Sequence, residues 1–389
     1  MQTDSISSKN VLRRLFHWGP IFALFIIKSI LLTTLYVTSM WFPPFTTVAS
    51  TLNHFIFLGW VGATLYNFFC AMIVGPGYIP YGWKPKNPDD VQYLQYCSLC
   101  DGYKAPRVHH CRKCKRCVMK MDHHCPWINN CCGHRNHANF TWFLFCAVCG
   151  SIQSTVLLIT AIYRAFHLNW YLYHGDRDHI VYLSLYTLIF TVFSLGLAIG
   201  VIIAVGGLFV VQLKSIWRNK TSIEDWIVTK ALSRPREEGD VFIYPYDLGC
   251  WKNLLQVFWN PLGDGINWPI RDDCFEYTLT VEQLYQKEDK RARTRQYTVV
   301  QPYKGTWFPI SKGIRTCCSI PYSDEPRIPL EIGDQVSVTR WRKHWLYGEK
   351  IPLTESSAKL RGWFPRVCAI EFTSTDCEIE KIQKKFQYK

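Results

Sequence analysis

Four long apolar stretches constrain the fold of this chain more than any other feature of its sequence. They cover approximately residues 20–40, 52–74, 140–162 and 180–213. Each reaches the ~20 residues that a helix needs to cross ~30 Å of hydrocarbon. In lipid, only helices and closed barrels satisfy their own backbone hydrogen bonds. We therefore predict four transmembrane helices, of which the fourth is long enough to tilt or to project beyond the bilayer.

The charges between these stretches predict how the chain crosses the membrane. The 389 residues carry a formal net charge of +14, and basic residues precede the first stretch, fill the segment 75–139 and follow the fourth stretch. The connection 41–51 has no charge, and the connection 164–179 has two basic and two acidic residues. By the positive-inside rule, both termini and the segment 75–139 face the cytosol, where thiols stay reduced.

The segment 97–131 contains seven cysteines and four histidines, most of them at spacings typical of zinc ligands. A Cys-x-x-Cys turn brings two sulfurs within ~2.3 Å of one ion. The residues that fall on such spacings are Cys97, Cys100, Cys111, Cys114, Cys117 and Cys131, together with His109, His110 and His124. Eight ligands suffice for two closed Cys3His zinc sites, but the interleaved spacing leaves their partition open. A disulfide cluster is disfavoured, because such bonds are rare in the cytosol.

One cysteine of this segment, Cys125, does not fall on a zinc-ligand spacing. It follows Asp122, His123 and His124 directly in the chain. A free thiol has a pKa near ~8.5, so a nucleophilic cysteine needs its thiolate stabilised. His123 can take the proton, and Asp122 can hold the imidazole in the required tautomer. The pattern therefore indicates a cysteine nucleophile with a base and an acidic partner, and not a zinc finger alone.

The segment around this thiol is strongly basic, which limits its partners. Its basic residues are Lys104, Arg107, Arg112, Lys113, Lys115, Arg116 and Lys120, against the acids Asp101 and Asp122. Such a run also occurs as the solvated face of a finger that contacts nucleic acid. The membrane segments leave little room for nucleic acid, so we expect none. The phosphates of an acyl-coenzyme A and anionic lipid headgroups fit the charge better.

A long ordered motif gives this segment a specific resemblance. Its parts are Cys97-x-x-Cys100, Lys104 to Arg107, His109-His110-Cys111-x-x-Cys114-x-x-Cys117, Met121 to Trp127, Asn129 to Cys131, Gly133 and Asn136. This pattern resembles the cysteine-rich domain of the DHHC protein acyltransferases. The resemblance implies one zinc on Cys97, Cys100, His110 and Cys117, and a second on Cys111, Cys114, His124 and Cys131. It leaves Asp122, His123 and Cys125 for chemistry. It gives Cys132 no role, so we interpret that residue as a packing or a surface thiol.

Weaker motifs flank the cysteine-rich segment in the order found in the same family. Gly75-Pro76-Gly77 resembles its Asp-Pro-Gly turn. Thr221, Ser222 and Glu224 resemble its Thr-Thr-x-Glu motif, with serine in place of the second threonine. Asn253, after an aromatic stretch that begins at Tyr246, resembles a C-terminal asparagine of the family. The resemblance implies that these residues brace the active site and do not react.

From about residue 294 the sequence changes to short strands separated by turns. Predicted strands cover residues 297–301, 335–340, 345–348 and 361–370, in the order of an SH3 barrel. Gln301 and Cys368 replace the tyrosines of the proline-peptide groove, which argues against ordinary proline-motif ligands. An acyltransferase core with this tail resembles the SH3-bearing animal members of the family, which implies the endoplasmic reticulum. Lys384 and Lys385 lie too far from the end for a dilysine signal, so the Golgi stays the alternative.

These features together predict an all-α membrane protein with a cytosolic two-zinc domain and a C-terminal all-β SH3-like barrel. The predicted segments are 1–74, 75–139 (zinc domain), 140–213, 214–293, 294–373 (SH3-like) and a tail, 374–389. The resemblance implies an enzyme that moves palmitate from palmitoyl-coenzyme A, through a Cys125 acyl-enzyme, to cysteines of membrane proteins. Two alternatives remain: a membrane-anchored zinc adaptor or ubiquitin-ligase-like module, and an inactive scaffold that binds a partner through its SH3-like tail.

Overall fold

The computed structural model describes residues 14–174, 180–236, 239–259, 263–323, 325–351 and 360–372. The chain divides into two compact units, Met1–Leu284 and Tyr285–Lys389. The predicted tail, which contains Lys384 and Lys385, lies outside the described residues. Most of the basic residues before the first apolar stretch also lie outside them.

The first unit contains the four membrane helices that the sequence predicts. They are α1 (Trp18–Trp41), α2 (Val48–Ile73), α3 (His137–Phe166) and, after the short α4 (Leu168–Tyr173), α5 (Leu185–Trp217). By length and composition all four can cross a membrane. Helix α3 contacts α1, α2 and α5, so it forms the centre of the bundle.

The fourth membrane helix, α5, begins later in the chain than the apolar stretch from which it was predicted. Residues 181–184 have no helical hydrogen bonding, and α5 starts where the Ser184 hydroxyl accepts a hydrogen bond from the Thr187 amide at 3.4 Å. Serine at an N-cap satisfies an amide that would otherwise lack a partner. Hydropathy alone cannot register this cap, so the helix starts about five residues after the approximate start of the apolar stretch.

Hydroxyl pairs join the membrane helices near their middle. Thr34 of α1 and Ser154 of α3 lie 2.7 Å apart and are both fully buried. Thr33 of α1 and Ser194 of α5 lie 2.8 Å apart. Small hydroxyl residues let helices approach closely and supply hydrogen bonds that lipid cannot offer.

The cysteine-rich segment forms three small antiparallel hairpins between α2 and α3. Their strands are β1 (Gln95–Cys97) with β2 (Gly102–Lys104), β3 (His109–Cys111) with β4 (Arg116–Val118), and β5 (His123–Cys125) with β6 (Asn130–Cys132). Each strand has three residues, and an isolated hairpin of that size is not stable in water. The stabilising contacts of this segment must therefore come from other sources than strand pairing.

Three helices follow the membrane bundle and complete the first unit. They are α6 (Ser222–Ser233), α7 (Cys250–Phe258) and α8 (Thr278–Ala292), the last of which runs into the second unit. Helix α6 starts with a capping box, in which Thr221 and Glu224 each accept a hydrogen bond from the backbone amide of the other. The motif that resembles Thr-Thr-x-Glu is thus a helix N-terminus.

The second unit is built of antiparallel strands, as predicted. In chain order they are β7 (Arg295–Val299), β8 (Tyr303–Lys304), β9 (Pro329–Leu330), β10 (Gln335–Trp341), β11 (Trp345–Lys350), β12 (Arg361–Pro365) and β13 (Ala369–Glu371). The main sheet has the order β12-β11-β10-β7-β13, and β8 pairs with β9. Within the described residues these two sheets do not close into one barrel. A short helix, α9 (Ile314–Cys318), lies between β8 and β9.

The last predicted strand is divided in the structure. After Pro365 the chain makes a 3-10 turn over Arg366–Cys368 and then leaves the β11 edge of the sheet for the β7 edge. Proline ends a ladder because it has no amide to donate. The core of the unit is apolar and includes Trp345, Phe364 and Val336, each with no exposed surface.

Candidate active site

The structure gathers the predicted ligands into two separate groups. One group is Cys97, Cys100, His110 and Cys117, and the other is Cys111, Cys114, His124 and Cys131. Within each group the candidate ligand atoms lie within 4.8 Å of one another. The hairpin registers that pair His110 with Cys117 and His124 with Cys131 produce this arrangement. The spacing of the sequence left the partition open, and the geometry matches the one implied by the resemblance.

The distances inside each group fit zinc. The Nδ1 atom of His110 lies 3.4–3.7 Å from its three sulfurs, and that of His124 lies 3.4–3.6 Å from its own three. Tetrahedral bonds of ~2.3 Å to sulfur and ~2.0 Å to nitrogen place these atoms about 3.5 Å apart. Both groups therefore have the donor set and the size of a closed Cys3His site.

His109, which also falls on a ligand spacing, joins neither group. Its Nε2 atom is buried without a hydrogen-bond partner among the described residues. Burial lowers the pKa of His109 to about 4. The residue is therefore a neutral histidine inside the fold, which the spacing alone could not distinguish from a ligand.

Cys125 lies outside both groups, at the end of β5. Its side chain is buried in an apolar cluster with Phe68 of α2, and with Phe140 and Leu144 of α3. It also lines an apolar cavity of about 300 Å³ between the membrane helices. Ala23, Ile27, Ser151, Gly200 and Val205 are among the other residues of that cavity. The thiol thus meets the zinc hairpins on one side and a space for an apolar chain on the other.

His123 is held by Asp122 in one orientation. Its Nδ1 lies 2.7 Å from Oδ2 of Asp122, and its ring packs edge-on against Phe140. The Nε2 atom faces sulfur: Sγ of Cys132 lies 3.8 Å away, and Cys125 is the second thiol neighbour of the ring. A carboxylate that accepts from Nδ1 leaves Nε2 available for proton transfer at a thiol.

The Asp122 carboxylate has hydrogen bonds on both oxygens. Oδ2 accepts from Nε2 of Gln212 at 2.9 Å, and Oδ1 accepts from the backbone amide of Ser222 at 2.6 Å. Gln212 lies on α5, and its Oε1 in turn contacts Nε2 of His137 on α3 at 2.8 Å. No local pattern identified Gln212, because its partner is 90 positions away and the residues on either side of it are apolar.

Electrostatic interactions favour the charged forms of both Asp122 and His123. Burial disfavours the Asp122 carboxylate, but His123 and the Ser222 amide hold the pKa of Asp122 well below its usual range. Burial also disfavours the charged His123 ring, but the adjacent thiols and the Asp122 carboxylate raise the pKa of His123 above its usual range. An imidazolium in this position would stabilise a thiolate at Cys125.

Cys132 is fully buried, so the packing interpretation is confirmed and the surface alternative is wrong. Burial raises the pKa of its thiol to about 12. Cys132 faces His123 across the β5–β6 pair, where it shares the apolar cluster of Cys125.

A buried ion pair connects the zinc hairpins to the chain after α5. Arg107 donates from Nε to Oε1 of Glu224 at 2.6 Å and from Nη2 to Oε2 at 2.8 Å. Nη1 of Arg107 also donates to the Asn219 side chain, and the guanidinium stacks over Tyr246 at 4.5 Å. Glu224 therefore caps α6 and holds Arg107 at once, while Ser222 of the same motif reaches Asp122.

Asn253 braces the end of the fourth membrane helix. Its Nδ2 donates to the Trp217 carbonyl at 2.8 Å and to Oδ1 of Asp247 at 2.7 Å. The turn at Gly75-Pro76-Gly77 packs on the zinc segment, where the Met119 amide donates to the Gly77 carbonyl at 3.0 Å. Neither motif is among the residues around Cys125 in the described structure.

Comparisons with known proteins agree with this arrangement. The sequence profile described as DHHC palmitoyltransferase matches residues 90–228. The chain is 47% identical over 390 residues to "Palmitoyltransferase ZDHHC6" of Bos taurus, covering 95% of this chain and 94% of that protein. It is 49% identical to the protein of the same name in Danio rerio, over 92% of this chain and 91% of that protein. "Probable protein S-acyltransferase 15" of Arabidopsis thaliana is 34% identical, over 54% of this chain and 80% of its own length.

Proposed function

The chain belongs to the DHHC palmitoyltransferase family, and on that premise we propose that the Cys125 thiol carries the acyl group during catalysis. The chain is a protein S-acyltransferase that uses palmitoyl-coenzyme A as donor. One observation supports Cys125 above the other cysteines of its segment: it lies outside both metal-ligand groups, beside His123, at the apolar cavity. A zinc adaptor would need neither the Cys125 thiol nor the hydrogen-bonded Asp122 and His123 beside it.

Asp122 and His123 act on the thiol. The Cys125 thiolate attacks the thioester carbonyl carbon, the bond from that carbon to the coenzyme A sulfur breaks, and His123 gives its proton to the leaving sulfur. In the second step the incoming cysteine gives its proton to His123, its sulfur attacks the acyl carbon, and Cys125 leaves as a thiolate. Asp122 keeps the imidazole oriented throughout. Both steps exchange one thioester for another, so no further energy source is needed.

The two ligand groups hold one zinc ion each, as the donor sets and distances support. Closed Cys3His sites have no open coordination position and are structural. We assign them the task of stabilising the hairpins that present Asp122, His123 and Cys125. The acyl tail would lie in the apolar cavity, where each buried methylene contributes ~0.8 kcal/mol. The exposed basic residues of the zinc segment would face the coenzyme phosphates. Arg107 and Lys120 are buried and do not belong to that surface.

The test is acyl transfer by the purified chain. Cys125→Ser should abolish the hydroxylamine-sensitive acyl group on the protein and leave about two zinc ions bound per chain. Cys250→Ser, at a partly exposed cysteine of α7, is the matched control and should keep full autoacylation. Retained autoacylation in Cys125→Ser, or loss of zinc from it, would contradict the assignment.

We also assign a role to each segment of the chain. Residues 75–139 act as the zinc domain, 214–293 as the region that braces it, and 294–373 as an SH3-like domain. The antiparallel order β12-β11-β10-β7-β13 and the 3-10 turn before β13 support the SH3-like assignment. Cys368 is buried, so it cannot line a peptide groove as a tyrosine would. The domain should bind a protein partner without a proline motif.

The location also remains a proposal. The loop charges support cytosolic termini and a cytosolic active site, and the resemblance to SH3-bearing members supports the endoplasmic reticulum over the Golgi. The substrates would then be membrane proteins with cysteines near the cytosolic surface. Glycosylation sequons inserted in the connections 41–51 and 164–179 should be modified, whereas one inserted after residue 220 should not. Glycosylation only at the site after residue 220 would contradict the proposed topology.

A further inference from the structure

One surface of the second unit contains none of the residues assigned to acyl transfer. Between β8 and β9, the segment 305–316 exposes four large apolar side chains: Trp307 (52% exposed), Phe308 (70%), Ile310 (79%) and Ile314 (79%). Trp307 and Phe308 precede a 3-10 turn at Ile310–Lys312, and Ile314 begins α9 after Gly313. Exposed apolar groups that cluster in this way mark a surface that another phase or molecule covers.

The core of the unit holds this segment in place from inside. The Trp345 indole donates to the Thr316 carbonyl at 3.1 Å, and Nη2 of Arg327 donates to the Pro321 carbonyl at 2.7 Å. The Tyr303 hydroxyl donates to the Thr306 carbonyl, and the Arg327 guanidinium stacks on Trp307 at 4.0 Å. The backbone is therefore fixed while the apolar side chains point outward. A preorganised surface loses little conformational entropy when it is covered.

The charged residues within this segment and beside it in the chain have one sign. Residues 301–320 contain Lys304, Lys312 and Arg315 and no acidic residue. Lys304 and Arg315 are exposed, and Lys312 is half-buried beside Gln301. Aromatic and branched apolar side chains flanked by cations match a membrane interface, where rings lie at headgroup level and cations meet anionic lipid.

We propose that the segment 305–316 docks on the surface of a bilayer that contains anionic lipid. Phe308, Ile310 and Ile314 insert among the headgroups, while Lys304 and Arg315 contact phosphate. The same chain crosses that bilayer four times, so the unit stays at a high effective concentration near it and needs little intrinsic affinity. The uniform positive charge favours an anionic surface over a protein surface, where charges of both signs alternate.

Full-length protein in lipid nanodiscs provides the test. A photoreactive lipid should cross-link to the segment 305–316, and more strongly in phosphatidylcholine with phosphatidylglycerol than in phosphatidylcholine alone. Cross-links to α1 serve as the internal standard. The triple variant Phe308→Ser, Ile310→Ser, Ile314→Ser should reduce the normalised signal roughly tenfold. Lys304→Glu with Arg315→Glu should remove the dependence on the anionic lipid and keep the remaining signal.

A matched triple variant separates docking from general surface polarity. Ile332, Val367 and Ile370 are exposed elsewhere on the same unit, and serine at these three positions should leave the cross-links unchanged. Hydrogen exchange in β10 and β11 should be equal in all variants, which would show that the fold persists. Absence of lipid cross-links in the unmodified chain, or an equal loss in both triple variants, would overturn the proposal. Capture of a protein at this segment without lipid cross-links would also overturn it.

Discussion

The zinc hairpins and the C-terminal sheet are both made of short antiparallel strands, but different contacts stabilise them. The zinc hairpins have strands of three residues, and most of their interior sulfur and imidazole atoms belong to ligand groups. The C-terminal strands reach seven residues in β10 and enclose an apolar core around Trp345 and Phe364. One region depends on metal coordination, the other on burial of apolar surface.

This contrast indicates which region can hold the side chains that we propose to be catalytic. A segment held by metal ligands does not need every inward position for apolar packing. Asp122, His123 and Cys125 therefore occupy one short stretch beside the ligands without unfolding it. In the C-terminal sheet, a charged group at the position of Val336 or Phe364 would lose apolar contacts and remain unpaired, at a cost of several kcal/mol.

Removal of a zinc ligand should destabilise the zinc hairpins more than any other change considered for either region. Structural zinc in peptides contributes apparent binding energies of about 10–16 kcal/mol. Cys111→Ala should therefore lose zinc and autoacylation and expose the hairpins to proteolysis, while the C-terminal unit keeps its own unfolding transition. Zinc content, limited proteolysis and calorimetry measure this. Two retained zinc ions would show that Cys111 is not a ligand.

Removal of a large side chain from the C-terminal core should destabilise the second unit and leave the zinc hairpins intact. Trp345→Ala removes a fully buried indole and should destabilise the second unit by about 3–5 kcal/mol. Zinc content and autoacylation should remain near normal. Trp341→Ala, at a half-exposed position of β10, is the control and should cost much less. If Trp345→Ala releases zinc, the two regions do not have independent sources of stability.

Loss of the buried ion pair tests whether polar contacts assist the metal sites. Glu224→Gln leaves the Arg107 charge without its counter-ion, which should destabilise the first unit by about 3 kcal/mol. Asp225→Asn, at the exposed neighbouring position, should change stability by well under 1 kcal/mol. Thermal unfolding of the full chain in detergent compares them. Equal effects of both variants would mean that the buried pair does not stabilise the hairpins.

The smallest expected effect concerns rate and not stability. Gln212→Leu removes one hydrogen bond from Asp122 and should slow autoacylation roughly tenfold through poorer orientation of His123. Zinc content should not change. The unfolding transition of the first unit should shift less than in Glu224→Gln, because Asp122 keeps its contacts with His123 and Ser222 and only the contact with His137 is lost outright. Gln153→Leu removes a hydrogen-bonded glutamine of α3 that contacts Asn53, away from the site, and should leave the rate unchanged. A normal rate of autoacylation in Gln212→Leu would show that Gln212 of α5 does not contribute to the active site.

The sequence predicted the features that local patterns encode. The four spans, the nine residues at ligand spacings and the separate position of Cys125 follow from hydropathy and spacing over a few residues, whereas the exclusion of His109 rested on the family resemblance. The start of α5, the split after Pro365 and the partners of Asp122 did not, because they depend on a cap, a change of sheet edge and contacts with Gln212 and Ser222. Such contacts join residues about a hundred positions apart, which neither periodicity nor motif spacing records.

The hydrogen bond between Gln212 and Asp122 couples the proposed active site to α5, a helix that is longer than the hydrocarbon core of a bilayer. Helix α5 has 33 residues, or about 50 Å at ~1.5 Å per residue, and exceeds the ~30 Å of a hydrocarbon core. Helices of excess length change their tilt with bilayer thickness. Gln212 lies on α5, and Ser222 begins α6 just after α5 ends. A change in the tilt of α5 would therefore act on the carboxylate of Asp122, which both residues contact. The thickness of the surrounding bilayer should therefore act as a control variable for acyl transfer, with no ligand involved.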